Sequence, residues 1–538
     1  MKGRMWFSVA MVAIGTSLLA AALVAGPAAG GTQASAVKAG GSITQTSRSD
    51  FDYVDTALAY FSHSWEMMAA TNITLLYYPH TEGPAGMRLT PLGAKGMPKV
   101  SKDGKTYTFT LEKGFKFSDG TNVTSANYKR AFDRALNKDM QSPASSFLDD
   151  LASYRAPNPT TFIVVLKKNA PDFLARMSMN FFAPVPVNTP INPDGITKPL
   201  STGPYVLREW NQKTSALAVR NPFWKNNQAP FNKAGFKNYV NEYRWVVGAD
   251  PATQQLQCEK GEADICGFPP ANARDLSEKY GINKDRFFVK RQTVLWYLAM
   301  NTSQPLFQNN VSLRQAVANA IDRRFMVAQH GYLAGKRTDQ FLPYAMPGFK
   351  EANIYSLKGP NYNRAKQLAQ GNTRSGKAVM YTFNVAQGPP IAQSVQFNLK
   401  QIGIDVEIKL LDRVVQHEKS ATRGEPFDLT LEGWGMDYPD PSNFINVLLD
   451  GRRIQADNNV NVSYFNDPKY NAAMDRANSL AGQARLTAYG NLDIDLMKNA
   501  APVAPYISTN YRVLLSTKVG CYGYTSINGD LLTQMCVK

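Results

Sequence analysis

From Ile391 to Leu410 the sequence writes two different periods back to back, and few architectures accept both. Ile391, Val395, Leu399 and Ile402 recur at helical spacing, whereas Ile404, Val406, Ile408 and Leu410 alternate with Asp405, Glu407 and Lys409. The first pattern lays an apolar stripe along a helix, and the second puts apolar groups on one face of a strand. A helix that feeds a half-buried strand is the repeating unit of an α/β domain.

The same grammar recurs along the chain. Tyr107, Phe109 and Leu111 alternate with threonines, predicting a strand over 105–111. Thr124 can then cap a helix whose Tyr128, Ala131, Phe132, Ala135 and Leu136 share one face. Strands are predicted at Thr161 to Leu166 and around Leu217 to Val219. Asp250-Pro251 has the cap-then-proline order of a helix start, and Leu313, Val317, Ala320 and Ile321 have helical spacing. A proline-rich run from Pro184 to Pro199 reads as a domain boundary. With 538 residues, about three domains or two large lobes fit.

The amino terminus sets the expected compartment. Lys2 and Arg4 precede an apolar stretch from Met5 to about Ala25, and Ala34-Ser35-Ala36 offers an A-x-A cleavage pattern, so 1–36 reads as a secretory signal. An uncleaved anchor is the alternative. No cysteine follows the apolar run, so a lipoprotein tether is not expected, and the mature chain should be extracellular, envelope-associated or periplasmic. Cys258, Cys266, Cys521 and Cys536 make an even count in an exported chain, which favours disulfides. Three connectivities are open. The two short-range pairs are preferred, and closing the 258–266 loop would stabilise by about 2 to 3 kcal/mol.

Lys and Arg total 59 against 42 Asp and Glu, giving +17. The basic residues are scattered rather than massed, so nucleic acid is not an expected partner. The four histidines do not cluster with the cysteines, and neither a metal nor a cofactor is expected. No G-x-S-x-G elbow occurs, and His417-Glu418 lacks the second histidine of a zinc protease. Gly371 to Lys377 matches G-x-x-x-x-G-K, but Ala378 replaces the hydroxyl that would hold magnesium. A glycine-rich passage from a helix near Ala365 to Ala369 into a strand near Val379 to Phe383 is the preferred reading.

Phe427 to Leu431 reads as a strand and Ser442 to Leu449 as a helix. Between them, Glu432 to Pro441 packs glycines, aromatics and acids into one predicted loop. In open α/β sheets ligands bind beyond the carboxyl ends of strands, and glycine lets backbone approach a guest closely. Trp434 and Tyr438 are candidate walls there. Asp437 is a candidate anchor for a ligand ammonium, with core filling and helix capping as the competing roles.

The run Gly433-Trp434-Gly435-Met436-Asp437-Tyr438-Pro439-Asp440-Pro441 resembles a hallmark of the family 5 extracellular solute-binding proteins. Other matches follow in that family's order: Tyr107 to Gly120 (YTFTLEKGFKFSDG), Ser201 to Leu207 (STGPYVL), Arg220 to Trp224 (RNPFW), Asn301-Thr302, Leu313 to Arg323 (LRQAVANAIDR) and Tyr362 to Lys366 (YNRAK). The resemblance implies a two-lobed periplasmic-binding-protein-like α/β fold with an extra α/β subdomain. Lobe I would comprise 37–76, 200–292 and 506–538, the subdomain 77–199, and lobe II 293–505. It also implies a monomeric receptor that delivers a peptide or peptide-like solute to the permease subunits of an ABC importer, without catalysis. The ligand-binding set it implies is Gly433, Trp434, Gly435, Met436, Asp437 and Tyr438, with Trp296, Tyr297 and Asn301 near the cleft. Asp437 would grip the ligand's amino terminus. Met436 departs from the small residue common there, and oligosaccharide, opine or metal-chelate ligands, or a secreted hydrolase, are the alternatives.

Overall fold

The computed structural model describes residues 39–384 and 387–538. The expected signal segment 1–36 lies outside them. Among the described residues, no helix is long and apolar enough to cross a membrane.

One large mixed sheet runs through the molecule. Its strand order is Asp405–Leu411, Lys377–Phe383, Leu429–Gly435, Phe287–Met300, Val503–Leu515, Ile265–Cys266, Ser42–Ser47, Glu242–Val247, Ser215–Arg220 and Tyr205–Asn211, and the short Gly335–Arg337 strand also pairs with Val503–Leu515. The two longest strands, Phe287–Met300 and Val503–Leu515, lie antiparallel at its centre. Lys377–Phe383 is parallel to both of its neighbours, with the amphipathic helix Gly388–Lys400 as crossover. A separate antiparallel sheet orders Lys99–Val100, Thr106–Thr110, Thr161–Leu166 and Leu151–Asn158, and the helix Ser125–Leu136 packs on it. This is the two-lobed α/β fold with an added α/β unit that the sequence predicts.

Local signals explain most element boundaries. Asp250 accepts from the Ala252 and Thr253 N–H groups at 2.9 and 3.2 Å, Pro251 opens the helix, and Gly261 ends it at φ 78°. Asn127 closes the start of the other helix by accepting from Thr124 N–H at 2.7 Å. In that helix Tyr128, Ala131, Phe132 and Ala135 are buried, whereas Leu136 is half-buried. The G-x-x-x-x-G-K match lies between the helix Tyr362–Ala369 and the strand Lys377–Phe383, a helix-to-strand order opposite to that of a phosphate loop.

The alternation at 404–410 holds at one end only. Val406 is buried but Leu410 is 51% exposed. The strand is the sheet's edge, so its outer residues lack a second neighbour to cover them.

Cys258 bonds Cys266 and Cys521 bonds Cys536, the two short-range pairs. The proline-rich run is irregular, and its Thr189 and Pro190 carbonyls accept from Arg130 and Arg134. Arg134 also makes a fully buried, two-pronged ion pair with Asp55 at 2.7 and 2.6 Å, tying the separate four-stranded unit to the chain's first segment. Nothing in the sequence advertises that pair, because 79 positions separate its members.

Candidate functional site

The predicted loop begins later than its composition suggests. Leu429–Gly435 is one strand, and Val294 to Met300 pair with it through Gly435, so Glu432, Gly433 and Trp434 belong to the ladder. The glycine at 433 serves a close approach of a different kind from the one expected. A methyl built there would meet the Trp296 ring at 2.8 Å, so the missing side chain admits an indole of the neighbouring strand rather than a ligand. At Gly435 the same methyl would find only Val294, at 3.5 Å.

Past Gly435 the backbone turns into the helix Ser442–Leu449, and this turn holds Asp437. Asn443 clasps the residue twice: its Oδ1 accepts the Asp437 N–H at 2.9 Å and its Nδ2 donates to Oδ2 at 2.7 Å. The Tyr60 hydroxyl donates to the same Oδ2 at 3.3 Å. Oδ1 has no hydrogen-bond donor among the described residues. Asp437 is 8% exposed, and burial pushes its carboxyl up to about 7 against the pull of Asn443 and Tyr60. It is a buried acid that no basic side chain among the described residues neutralises.

Asp437 lines a narrow hollow of about 30 Å³. The other walls come from distant parts of the chain, among them Trp65, Tyr77, Tyr78, Met179, Phe236 and Asn528. Tyr60 stands beside the acid, tilted against Trp65 and Phe181 at 5.8 and 5.3 Å and edge-on to Trp434 at 6.4 Å. The Trp434 indole N–H is buried without a partner, a donor that costs free energy until something accepts from it.

The remaining candidates go elsewhere. Tyr438 donates to Asp172 at 3.0 Å, packs in the core of the four-stranded unit, and lines a second hollow of about 270 Å³ instead of the one beside Asp437. Met436 is buried among Tyr297, Phe341 and Phe444. Tyr297 is 3% exposed, and Asn301 spends its side chain on the Phe427 carbonyl, the Ser303 N–H and the Ser303 hydroxyl. Both fill core. Trp296 is half-buried between His330 and Phe383, with the Arg413 guanidinium over its ring at 5.4 Å.

Ion pairs fix the loop's frame. Arg485 holds Asp440 through two bonds of 2.9 and 2.8 Å. Burial opposes ionisation of Glu432, but Arg413 and His417 draw its carboxyl down to about 2. Sequence reasoning missed Tyr60 and Asn443, the two side chains that bond the Asp437 carboxylate. Asn443 had a signal, being the second residue of the helix that follows the loop. Tyr60 had none.

The model of the bacterial extracellular solute-binding proteins, family 5 Middle, matches residues 88–456. The chain is 26% identical to the probable D,D-dipeptide-binding periplasmic protein DdpA of Escherichia coli strain K12 over 412 residues, covering 74% of this chain and 75% of that protein. Among solved structures it is similar to the clavulanic acid biosynthesis oligopeptide binding protein 2, with TM-score 0.84, 23% identity and coverage of 93% of this chain and 96% of that one. It is also similar to the periplasmic binding protein DppA from Helicobacter pylori in complex with the peptide STSA, with TM-score 0.79, 20% identity and coverage of 93% and 98%. These likenesses carry the fold, and the family match carries the assignment: the chain belongs to the family 5 bacterial extracellular solute-binding proteins.

Proposed function

We propose that this protein is the substrate-binding component of an ABC importer, and that it captures a peptide or peptide-like solute by its amino end on Asp437. The observation that carries the reading is an ionisable acid, buried at the wall of a hollow, with no basic side chain among the described residues that line it. A desolvated carboxylate is costly alone, and an incoming ammonium removes that cost while gaining a charge-assisted hydrogen bond. The orphaned N–H of Trp434, whose ring stands edge-on to Tyr60, suits a main-chain carbonyl. DdpA and the Helicobacter DppA, one named for a dipeptide and the other bound to a peptide, support the ligand class.

Closure of the lobes would be a two-state hinge that a ligand biases only by its differential affinity, and the permease subunits would read the closed form. We assign 37–76, 200–292 and 506–538 to the first lobe, 77–199 to the subdomain and 293–505 to the second lobe. The chain then crosses after Gln292 and after Pro505. In support, the ladder between the two central strands loses register between Arg291 and Leu295, and again where Tyr297 faces Pro505 but Trp296 faces Ile507. Gly433, Trp434, Gly435 and Trp296 frame the anchor, and Met436, Tyr438, Tyr297 and Asn301 hold that frame. The protein acts as an exported monomer and breaks no bond.

Native mass spectrometry of the purified protein, followed by incubation with a defined peptide mixture, tests this. Intact bound peptides at one per chain are expected. Peptides consumed with turnover would replace the reading by the secreted hydrolase, and retained sugars, opines or metal chelates by a receptor for those ligands.

A further inference from the structure

Asp437 and Tyr438 are consecutive in the chain, yet they line different hollows, and each takes part in a bond between an acid and a tyrosine. Asp437 accepts from Tyr60 at 3.3 Å. Tyr438 donates to Asp172 Oδ2 at 3.0 Å, and Ser442, from the helix that follows the turn, reaches the same oxygen at 3.4 Å. The Tyr438 ring is buried in the core of the separate four-stranded unit, edge-on to Phe147 at 6.4 Å. Farther along the same seam, Arg453 donates to the Ser146 carbonyl at 3.1 Å. A hollow of about 270 Å³ is lined from one side by Asp172 and Ser146 and from the other by Tyr438 and Arg453.

The bonds that hold this seam can be released at little cost in charge. Asp172 is buried but already matched within its own unit, where Arg176 grips it at 3.0 and 2.8 Å. Burial opposes its ionisation, and Arg176 nonetheless keeps the carboxyl below the usual range. Burial, followed by the Asp172 charge, holds the Tyr438 hydroxyl protonated, so it is a neutral donor. Parting the two breaks a hydrogen bond and leaves the ion pair of Asp172 with Arg176 whole. Among the described residues, the ion pair across the seam is Arg453 with Asp149 at 3.6 Å, and the Asp149 side chain is 64% exposed. The unit's contact with the chain's first segment is of another kind. There the fully buried Arg134 and Asp55 form a two-pronged charge-assisted pair, the stronger class of bond.

We infer that Tyr438 is a positioning residue for capture, a latch whose bond to Asp172 holds the turn bearing Asp437 against the four-stranded unit when the lobes are shut. The unit stays with the first segment through Arg134 and Asp55 and parts from the second lobe at the seam. The anchor and the latch are then adjacent residues of one turn, so whatever displaces Asp437 also displaces the bond that keeps the seam shut. The inference rests on the proposed lobes and their closure, but not on the nature of the ligand.

The test is double electron–electron resonance on full-length mature protein with spin labels at Ser145→Cys and Arg476→Cys, exposed neighbours of Ser146 and Asp475 on opposite sides of the seam. It needs no ligand. The parent is expected to show mainly a short separation, and Tyr438→Phe to raise the ratio of long to short by about threefold or more. Tyr154→Phe is the control, since Tyr154 gives up an equivalent bond, to Asp133 at 2.8 Å, inside the four-stranded unit. It is expected to leave the distances unchanged. Equal shifts in the two variants, or a parent that shows only the long separation, would overturn the inference. So would a single short separation that persists even when Tyr438→Phe is combined with Arg453→Ala, a result that would refute the hinge as well. Each of these outcomes leaves amine capture by Asp437 to stand on its own ligand titrations.

Discussion

The Tyr60 hydroxyl donates to Asp437 Oδ2 across 377 positions of sequence, at 3.3 Å. That donor favours the ionised carboxylate, so removing it raises the acid's pKa further. Tyr60→Phe is therefore expected to weaken an amine ligand by about threefold to tenfold near neutrality, and to move the midpoint of the affinity–pH curve upward. Titrations at several pH values give both numbers. An unchanged midpoint would mean that the hydroxyl does not act on Asp437.

Affinity itself should depend on pH in a defined direction. With its pKa raised to about 7 by burial, unliganded Asp437 is mostly protonated at pH 5 and must lose that proton to hold an ammonium. Amine affinity is expected to rise by up to about tenfold per unit between pH 5 and 7, then to level and fall as a peptide amine itself deprotonates near pH 8. In Asp437→Asn the rise should vanish and affinity at pH 7.5 should drop about tenfold or more, while the circular dichroism spectrum is retained.

The two glycines of the strand separate packing from flexibility. Gly433→Ala places a methyl 2.8 Å from the Trp296 ring and is expected to destabilise by about 1 to 3 kcal/mol while shifting the indole. Gly435→Ala meets only an ordinary contact at 3.5 Å and should stay within about 1 kcal/mol of the parent. Urea midpoints and Trp fluorescence distinguish them, and equal costs at both positions would contradict the packing account.

Asp440 and Arg485 form a nearly buried two-pronged pair that anchors the loop. Asp440→Ala leaves the guanidinium uncompensated and is expected to cost about 3 to 5 kcal/mol, whereas the double substitution with Arg485→Met should recover part of that loss. A double-mutant cycle in urea measures the coupling, and simple additivity would show that the pair does not act as a unit.

Glu66 accepts the Asp530 N–H at 3.2 Å, and Tyr511 and Tyr522 donate to the Asp530 carboxylate. Burial, followed by their mutual repulsion, raises Glu66 well above the usual carboxylate range, and burial raises Asp530. A raised acid binds more protons folded than unfolded. Its contribution is thus present at acid pH and lost as pH climbs through the folded value, at about 1.4 kcal/mol for each pH unit between the unfolded and folded titrations. Glu66→Gln is expected to flatten the fall in stability from pH 4 toward neutrality and to raise stability at pH 8, both read from urea midpoints. A variant with the same pH slope as the parent would refute it.

The periodicities at 105–111, 124–136, 161–166 and 391–410, and the cap at Asp250, were legible because each element's burial pattern is a local property of spacing. The disulfide pairs were legible for a similar reason, since each closes a short loop. Two local readings failed where a neighbour intervened. Glycine-rich Glu432 to Gly435 became strand because Phe287–Met300 supplied a ladder, and Leu410 stayed exposed because no strand lay beyond it. By itself the sequence determined the α/β class, the family and the position of an acid in a strand-end turn. The tertiary structure alone decided that this acid is desolvated, bonded by Tyr60 and Asn443 and set in a wall that has no Lys or Arg among its described residues, while Tyr438 and Asn301 turn inward. Charge balance and burial at a point depend on which distant segments converge there, and spacing along the chain does not encode that convergence.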